Sequence, residues 1–265
     1  MPEAKSSGVR TDYTDAGKGE PALLLLPGWC ATRAAFGKMA EICATRRRVL
    51  ALDWRGHGAS ETPEKDFGLA DLVKDAIAVI EASGAQQVVP VALAHAGWVA
   101  IELRRRLGAQ ISKIVLLDWV FIFDPPPHFM AALGALQDLQ QWEHTRNRLF
   151  STWLEGVSNS AVSQFVNHVM GGFGFSMWSR AGREISAAYT RHINPLRALE
   201  GFDTPLPVLH IYAQPGDAAY WDSQQFFAKS HPWFSVKRVN ALSHFPMLEA
   251  PQEVAEVIEV FVSTK

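Results

Sequence analysis

A chain of 265 residues, 48% apolar and 20% charged, is long enough for one large domain with a deep core and has the make-up of an ordinary globular protein. Its net charge of −2 gives no electrostatic basis for binding nucleic acid or an anionic membrane, and no run approaches the ~20 apolar residues of a membrane span. Two cysteines, Cys30 and Cys43, are too few for a disulfide framework and lack metal-ligand spacing; with no apolar signal core in the first twenty residues, a cytoplasmic location is expected.

In chain order, "PALLLLPG" (21–28) and "RRVLALDWRGHG" (47–58) predict buried strands that end in turn residues. "ADLVKDAIAVIEASG" (70–84) repeats apolar residues at three-four spacing, predicting a helix closed by Gly84. "VVPVALAHAGWVAIELRRRLG" (88–108) is a β-branched run that stops at small residues and becomes a helical pattern. "ISKIVLLDW" (111–119) is the next strand, and its continuous apolar character suits a parallel strand covered on both faces. The stretch 124–196 differs: it opens with "DPPPHF", lacks strand candidates, and carries amphipathic runs in "HFMAALGALQDLQQWEHTRNRLFSTWL" and "SAVSQFVNHVM", followed by a "GGFGF" loop. "LPVLHIYAQPGD" (206–217) and "FSVKRVN" (234–240) return to strands, and "APQEVAEVIEVFVS" (250–263) is a closing helix with proline near its start. The expected fold class is α/β, a doubly wound, mostly parallel sheet from residues 1–123 and 197–265 with a helical cap, 124–196, inserted between two strands.

Such sheets bind ligands beyond the carboxyl ends of their strands, so the informative residues follow each strand. Those positions hold Trp29 and Cys30, "WRGHGAS" (54–60), Ala94 and His95, Asp118 and Trp119, Asp217, and a late loop with His244. The strand–turn–helix at 88–108 has the layout that presents a nucleophile at an elbow of pattern G-x-S-x-G, yet it reads Leu93, Ala94, His95, Ala96, Gly97. Alanine stands where a serine would attack. His244 is the best candidate for a proton-transfer group, and either Asp118 or Asp217 could orient it. His57 sits in a turn motif and is expected to be structural; His128, His168, His192, His210 and His231 are expected in the core or on the surface. Nine Trp and fifteen Phe leave aromatics to spare for a pocket suited to a flat ligand.

"LLLLPGW", "DWRGHGAS" and "SHFPMLEAPQEV", in that order and over nearly the whole chain, resemble the α/β-hydrolase fold. That resemblance implies an oxyanion hole from the backbone amides of Trp29 and His95. The combination of "LLPGWC", "LAHAGWV", "LLDW", "HIYAQP" and "SHFPMLE" is similar to a narrower branch, the cofactor-independent 2,4-dioxygenases of 3-hydroxy-4(1H)-quinolones. The resemblance implies a His244–Asp118 base, a small aromatic substrate with dioxygen as its partner, and neither metal nor flavin. It also implies a cap aromatic against the substrate, Trp153 by position and Trp178 second, and a substrate-positioning role for residue 94, where the branch commonly carries serine. Two other readings are an esterase or C–C hydrolase without its nucleophile, and a non-catalytic ligand receptor. Ala94 counts against the first; the retained histidine and acid count against the second. The 2-substituent of the quinolone and the oligomeric state have no signature in the sequence.

Overall fold

A computed structural model describes residues 2–264. Eight strands form one sheet: β1 (Glu3–Ser6), β2 (Val9–Ala16), β3 (Ala22–Leu26), β4 (Val49–Leu52), β5 (Val88–Leu93), β6 (Ile114–Leu117), β7 (Val208–Tyr212) and β8 (Phe234–Arg238). Their spatial order is 1-2-4-3-5-6-7-8. From β4 across to β8 every pairing is parallel, while β1, β2 and β4 join antiparallel. Strands β3 to β7 are buried at every position, which is why their sequences run continuously apolar rather than alternating. The β1–β2 hairpin has no counterpart in the sequence reading. Its strands, "EAKS" and "VRTDYTDA", are mostly polar, and Ser7 (φ 50°) with Gly8 (φ 83°) makes the left-handed two-residue turn that closes it.

Eleven α-helices accompany the sheet among the described residues: α1 (Gly37–Ala44), α2 (Leu69–Ser83), α3 (Gly97–Leu107), α4 (Pro127–Ala135), α5 (Trp142–Leu154), α6 (Ser160–Gln164), α7 (Phe175–His192), α8 (Pro195–Glu200), α9 (Ala218–Ser230), α10 (Pro246–Glu249) and α11 (Pro251–Ser263). α2 forms as its spacing predicts, with Leu72, Val73, Ala76, Val79 and Ile80 buried and Gly84 left-handed at its end. α11 starts on a proline and buries Val254, Ile258 and Val262, each side chain worth roughly 1.5–3 kcal/mol of transfer free energy. α4 to α8 lie between β6 and β7 in the chain, with no strand among them. The long amphipathic run read over 128–154 is divided between α4 and α5, and α6 continues into a π-helical turn, Phe165–Met170. No helix among the described residues is long and apolar enough to cross a membrane.

Candidate active site

The chain leaves β5 at Leu93 and enters α3 at Gly97 through a tight turn, Ala94–Ala96. Ala94 has φ 47°, a left-handed conformation that costs a residue with a Cβ about 1–2 kcal/mol. The window read from the sequence, 93–97, sits one residue late: with Ala94 at the centre of the elbow, the glycine positions of the pattern fall on Ala92 and Ala96, both buried. Gly97 answers a different demand, because a Cβ there would overlap the Trp119 ring.

Asp118 and His244 meet across this elbow. Asp118 follows β6 and is fully buried, and its Oδ1 accepts the amides of Ala213 (2.6 Å) and Gln214 (3.1 Å). Its Oδ2 lies 2.7 Å from His244 Nδ1. A carboxylate only accepts, so Nδ1 donates and the neutral ring leaves its lone pair on Nε2. His244 lines the main cavity, and its ring stacks on Trp153 at 5.1 Å and 18°. Asp217, the other candidate acid, instead caps α9, accepting the Tyr220 amide at 2.8 Å.

Trp29 follows β3 in a loop held by the turn "DWRGHGAS". Trp54 Nε1 donates to the Pro27 carbonyl (2.6 Å), His57 Nε2 accepts the Cys30 amide (3.2 Å), and Asp53 accepts the Arg33 amide (2.8 Å). His57 Nδ1 donates to the Arg55 carbonyl, and burial pushes this histidine down to about 4, so it stays neutral as the Cys30 acceptor. The Arg55 guanidinium in turn pairs with buried Asp75 of α2. His57 is thus a scaffold residue. Among the described residues the Trp29 amide takes part in no turn or loop hydrogen bond, which leaves it a candidate donor, and the His95 amide lies within the short turn Ala94–Ala96 beside it.

The His95 ring stacks on Phe129 (5.7 Å, 20°) and meets the edges of Trp119 and Tyr189. Burial, reinforced by nearby His244, holds it down to about 3, so it is neutral near pH 7. Ala94, His95, Trp29, Trp153, Trp178 and His244 all line one cavity of about 1150 Å³. Among the described residues its wall holds no serine or cysteine. Its two threonines, Thr145 and Thr152, donate their hydroxyls to the carbonyls of Gln141 and Arg148 on their own helix. Both cysteines are buried away from it with their thiols pushed upward, Cys43 to about 11. The cavity wall thus carries an imidazole backed by a buried carboxylate and, among the described residues, no side chain placed to attack.

Sequence reasoning missed several lining residues. His128, expected in the core or on the surface, is exposed on the cavity wall, joined there by His144 and Arg148. The Ala213 and Gln214 amides lay within a quoted motif, "HIYAQP", but a backbone donor leaves no trace in residue type. Tyr189, which packs behind His95 and Trp119 and not on the cavity wall, came from a helix whose face could not be assigned without its partner.

The alpha/beta hydrolase family model matches residues 23–257. The chain is 36% identical to a 2-heptyl-3-hydroxy-4(1H)-quinolone dioxygenase of Mycobacteroides abscessus, over 98% of this chain and 97% of that one. It is 33% identical to the 1H-3-hydroxy-4-oxoquinoline 2,4-dioxygenase of Pseudomonas putida, covering 99% of both. A solved structure of an AqdC variant with its substrate, described as recognising and cleaving the ring of the Pseudomonas quinolone signal, superposes with a TM-score of 0.93 at 34% identity and 99% coverage of both chains.

Proposed function

Because the chain belongs to the alpha/beta hydrolase family, and within it to the quinolone 2,4-dioxygenases, we infer that its chemistry is oxygenolytic ring cleavage of a 3-hydroxy-4(1H)-quinolone and not hydrolysis. The observation that carries this reading is the juxtaposition of an intact Asp118–His244 pair with an elbow residue, Ala94, that has no nucleophilic atom.

In the proposed reaction His244 Nε2 takes the proton of the 3-hydroxyl, and Asp118 stabilises the imidazolium that forms. The electron-rich anion reacts with dioxygen to form a peroxide at C2. That peroxide attacks the C4 carbonyl, whose developing oxyanion is met by the amides of Trp29 and His95. The bicyclic endoperoxide collapses to carbon monoxide and an N-acylanthranilate, so that substrate plus O2 accounts for every product atom. No metal or flavin takes part. The helices of 124–196 act as the cap, Trp153 forms an aromatic wall beside the base, and the enclosed setting keeps the anion from water. Ala94 contributes space and the turn, not a bond. Two free, buried cysteines suit a reducing cytoplasm.

The test is oxygen uptake and carbon monoxide release on mixing the protein with a 2-alkyl-3-hydroxy-4(1H)-quinolone in air, with a chelator present. Both are expected in stoichiometric amounts. Absence of either overturns the reading.

A further inference from the structure

We infer that His210 and Gln224 are positioning residues, a buried clamp that fixes the Asp118–Trp119 peptide and so aims Asp118 at His244. The inference rests on the proposed role of Asp118 and His244 as the base pair.

Asp118 leaves β6 with φ 47°, a left-handed conformation that costs a residue with a Cβ about 1–2 kcal/mol and that its surroundings must hold. Its own amide makes the last rung to β7, donating to the Ile211 carbonyl at 2.8 Å. The turn then carries the next amide, that of Trp119, out of the ladder and into an apolar interior, where an unpaired donor is costly. His210 takes it. This residue pairs with Leu116 in the β6–β7 ladder, is fully buried, and sets its Nε2 3.1 Å from the Trp119 amide. Its Nδ1 lies 2.5 Å from Oε1 of Gln224, a fully buried residue of α9.

Only one arrangement satisfies both contacts. The Trp119 N–H must donate, so His210 Nε2 carries the lone pair and Nδ1 the proton, and Gln224 must present its oxygen. The Trp119 amide therefore fixes the histidine tautomer, and Gln224 completes it by accepting from Nδ1. Burial keeps His210 down at about 4, so the acceptor persists at neutral pH. The ring stacks on Tyr212 at 5.5 Å and 19°, which fixes its plane. With the Asp118–Trp119 peptide held, the carboxylate reaches the Ala213 and Gln214 amides through one oxygen and His244 through the other. A filler role in the core would need none of these polar pairings.

The experiment compares Gln224→Leu, His210→Leu and His210→Gln with the parent protein, together with the tautomer of His210 by nitrogen NMR. Gln224→Leu and His210→Leu are expected to lose tenfold or more in kcat with KM within twofold, and to displace the acidic limb of the kcat/KM pH profile. His210→Gln, which can still accept the Trp119 amide, is expected to recover to within threefold of the parent. The parent ring is expected protonated on Nδ1. Folded Leu variants with lowered melting temperature but unchanged kcat and pH profile would overturn the proposal. So would an Nε2-protonated ring, a measurement that decides even where the Leu variants fail to fold. A parent protein that turns over no quinolone would instead overturn the reading of function, leaving the tautomer result to stand alone.

Discussion

Asp118→Asn isolates the acid from the fold that holds it. The amide oxygen of asparagine can keep the Ala213 and Gln214 amides, now at 2.6 and 3.1 Å from Oδ1. Its NH2 then faces His244 Nδ1, where the carboxylate oxygen stood at 2.7 Å. Two donors cannot share that contact, so the imidazole adopts the other tautomer and carries its proton on Nε2, the atom required as base. The corresponding change in a serine-protease triad lowers kcat about 10⁴-fold. We expect a loss of about 10³–10⁴-fold in oxygen uptake, or about 4–5.5 kcal/mol in barrier. Two of the three hydrogen bonds survive and the third reverses its direction as a weaker neutral pair, so unfolding free energy should fall by only about 1–3 kcal/mol. Oxygen electrode rates at saturating quinolone, paired with urea unfolding curves, separate the two effects. Asp217→Ala is the control: it removes the α9 cap, at a cost of about 1 kcal/mol, and should leave the rate unchanged. A folded Asp118→Asn protein within tenfold of the parent rate would refute the assignment of the dyad.

Trp153→Ala removes the ring stacked on His244, a contact worth about 0.5–1.5 kcal/mol, and should lower kcat/KM roughly threefold to tenfold in steady-state assays. Gly97→Ala forces a Cβ into the Trp119 ring and should destabilise by about 1–3 kcal/mol, seen as a lowered thermal midpoint. His57 and His210, both held down to about 4 from an ordinary 6.5, bind protons only after the unfolded chain does. Their contribution is complete above about pH 6.5 and is lost as pH falls toward 4, at about 1.4 kcal/mol per pH unit for each. Urea midpoints should drop between pH 7 and pH 5, and His57→Gln should flatten that dependence; equal midpoints for the parent at the two pH values would contradict it.

The parts of the fold legible from sequence were those where one residue type answers one physical demand. Strands β3 to β7 announced themselves because burial on both faces leaves only apolar residues, and α2 because one face of a helix repeats every three to four positions. β1 and β2 stayed hidden because their buried positions include polar Thr11 and Asp12, and the partners of Asp12 come from distant loops: Asp12 donates its amide to Ser60 and pairs its carboxylate with Arg33. His244 and Asp118 were legible as types following strands, and the resemblance chose Asp118 over Asp217. What separates them physically is three-dimensional: one carboxylate is buried 2.7 Å from an imidazole, the other accepts the amide at a helix end.

The elbow makes the same point more sharply. If its strained turn existed only to present a nucleophile, replacing serine with alanine would leave a conformational cost with no return. Here the turn has other dependents. It brings His95 to the cavity wall and sets the start of α3, so that Gly97 lies against the Trp119 ring. Trp119 is in turn fixed through its indole by Tyr189 (3.0 Å), and it directly follows the residue paired with His244. The left-handed residues at 94 and 118 therefore flank one packed contact, Gly97 against Trp119. That packing is a physical reason for an elbow geometry that needs no nucleophile, and it links Ala94 through Gly97 and Trp119 to the proposed base pair.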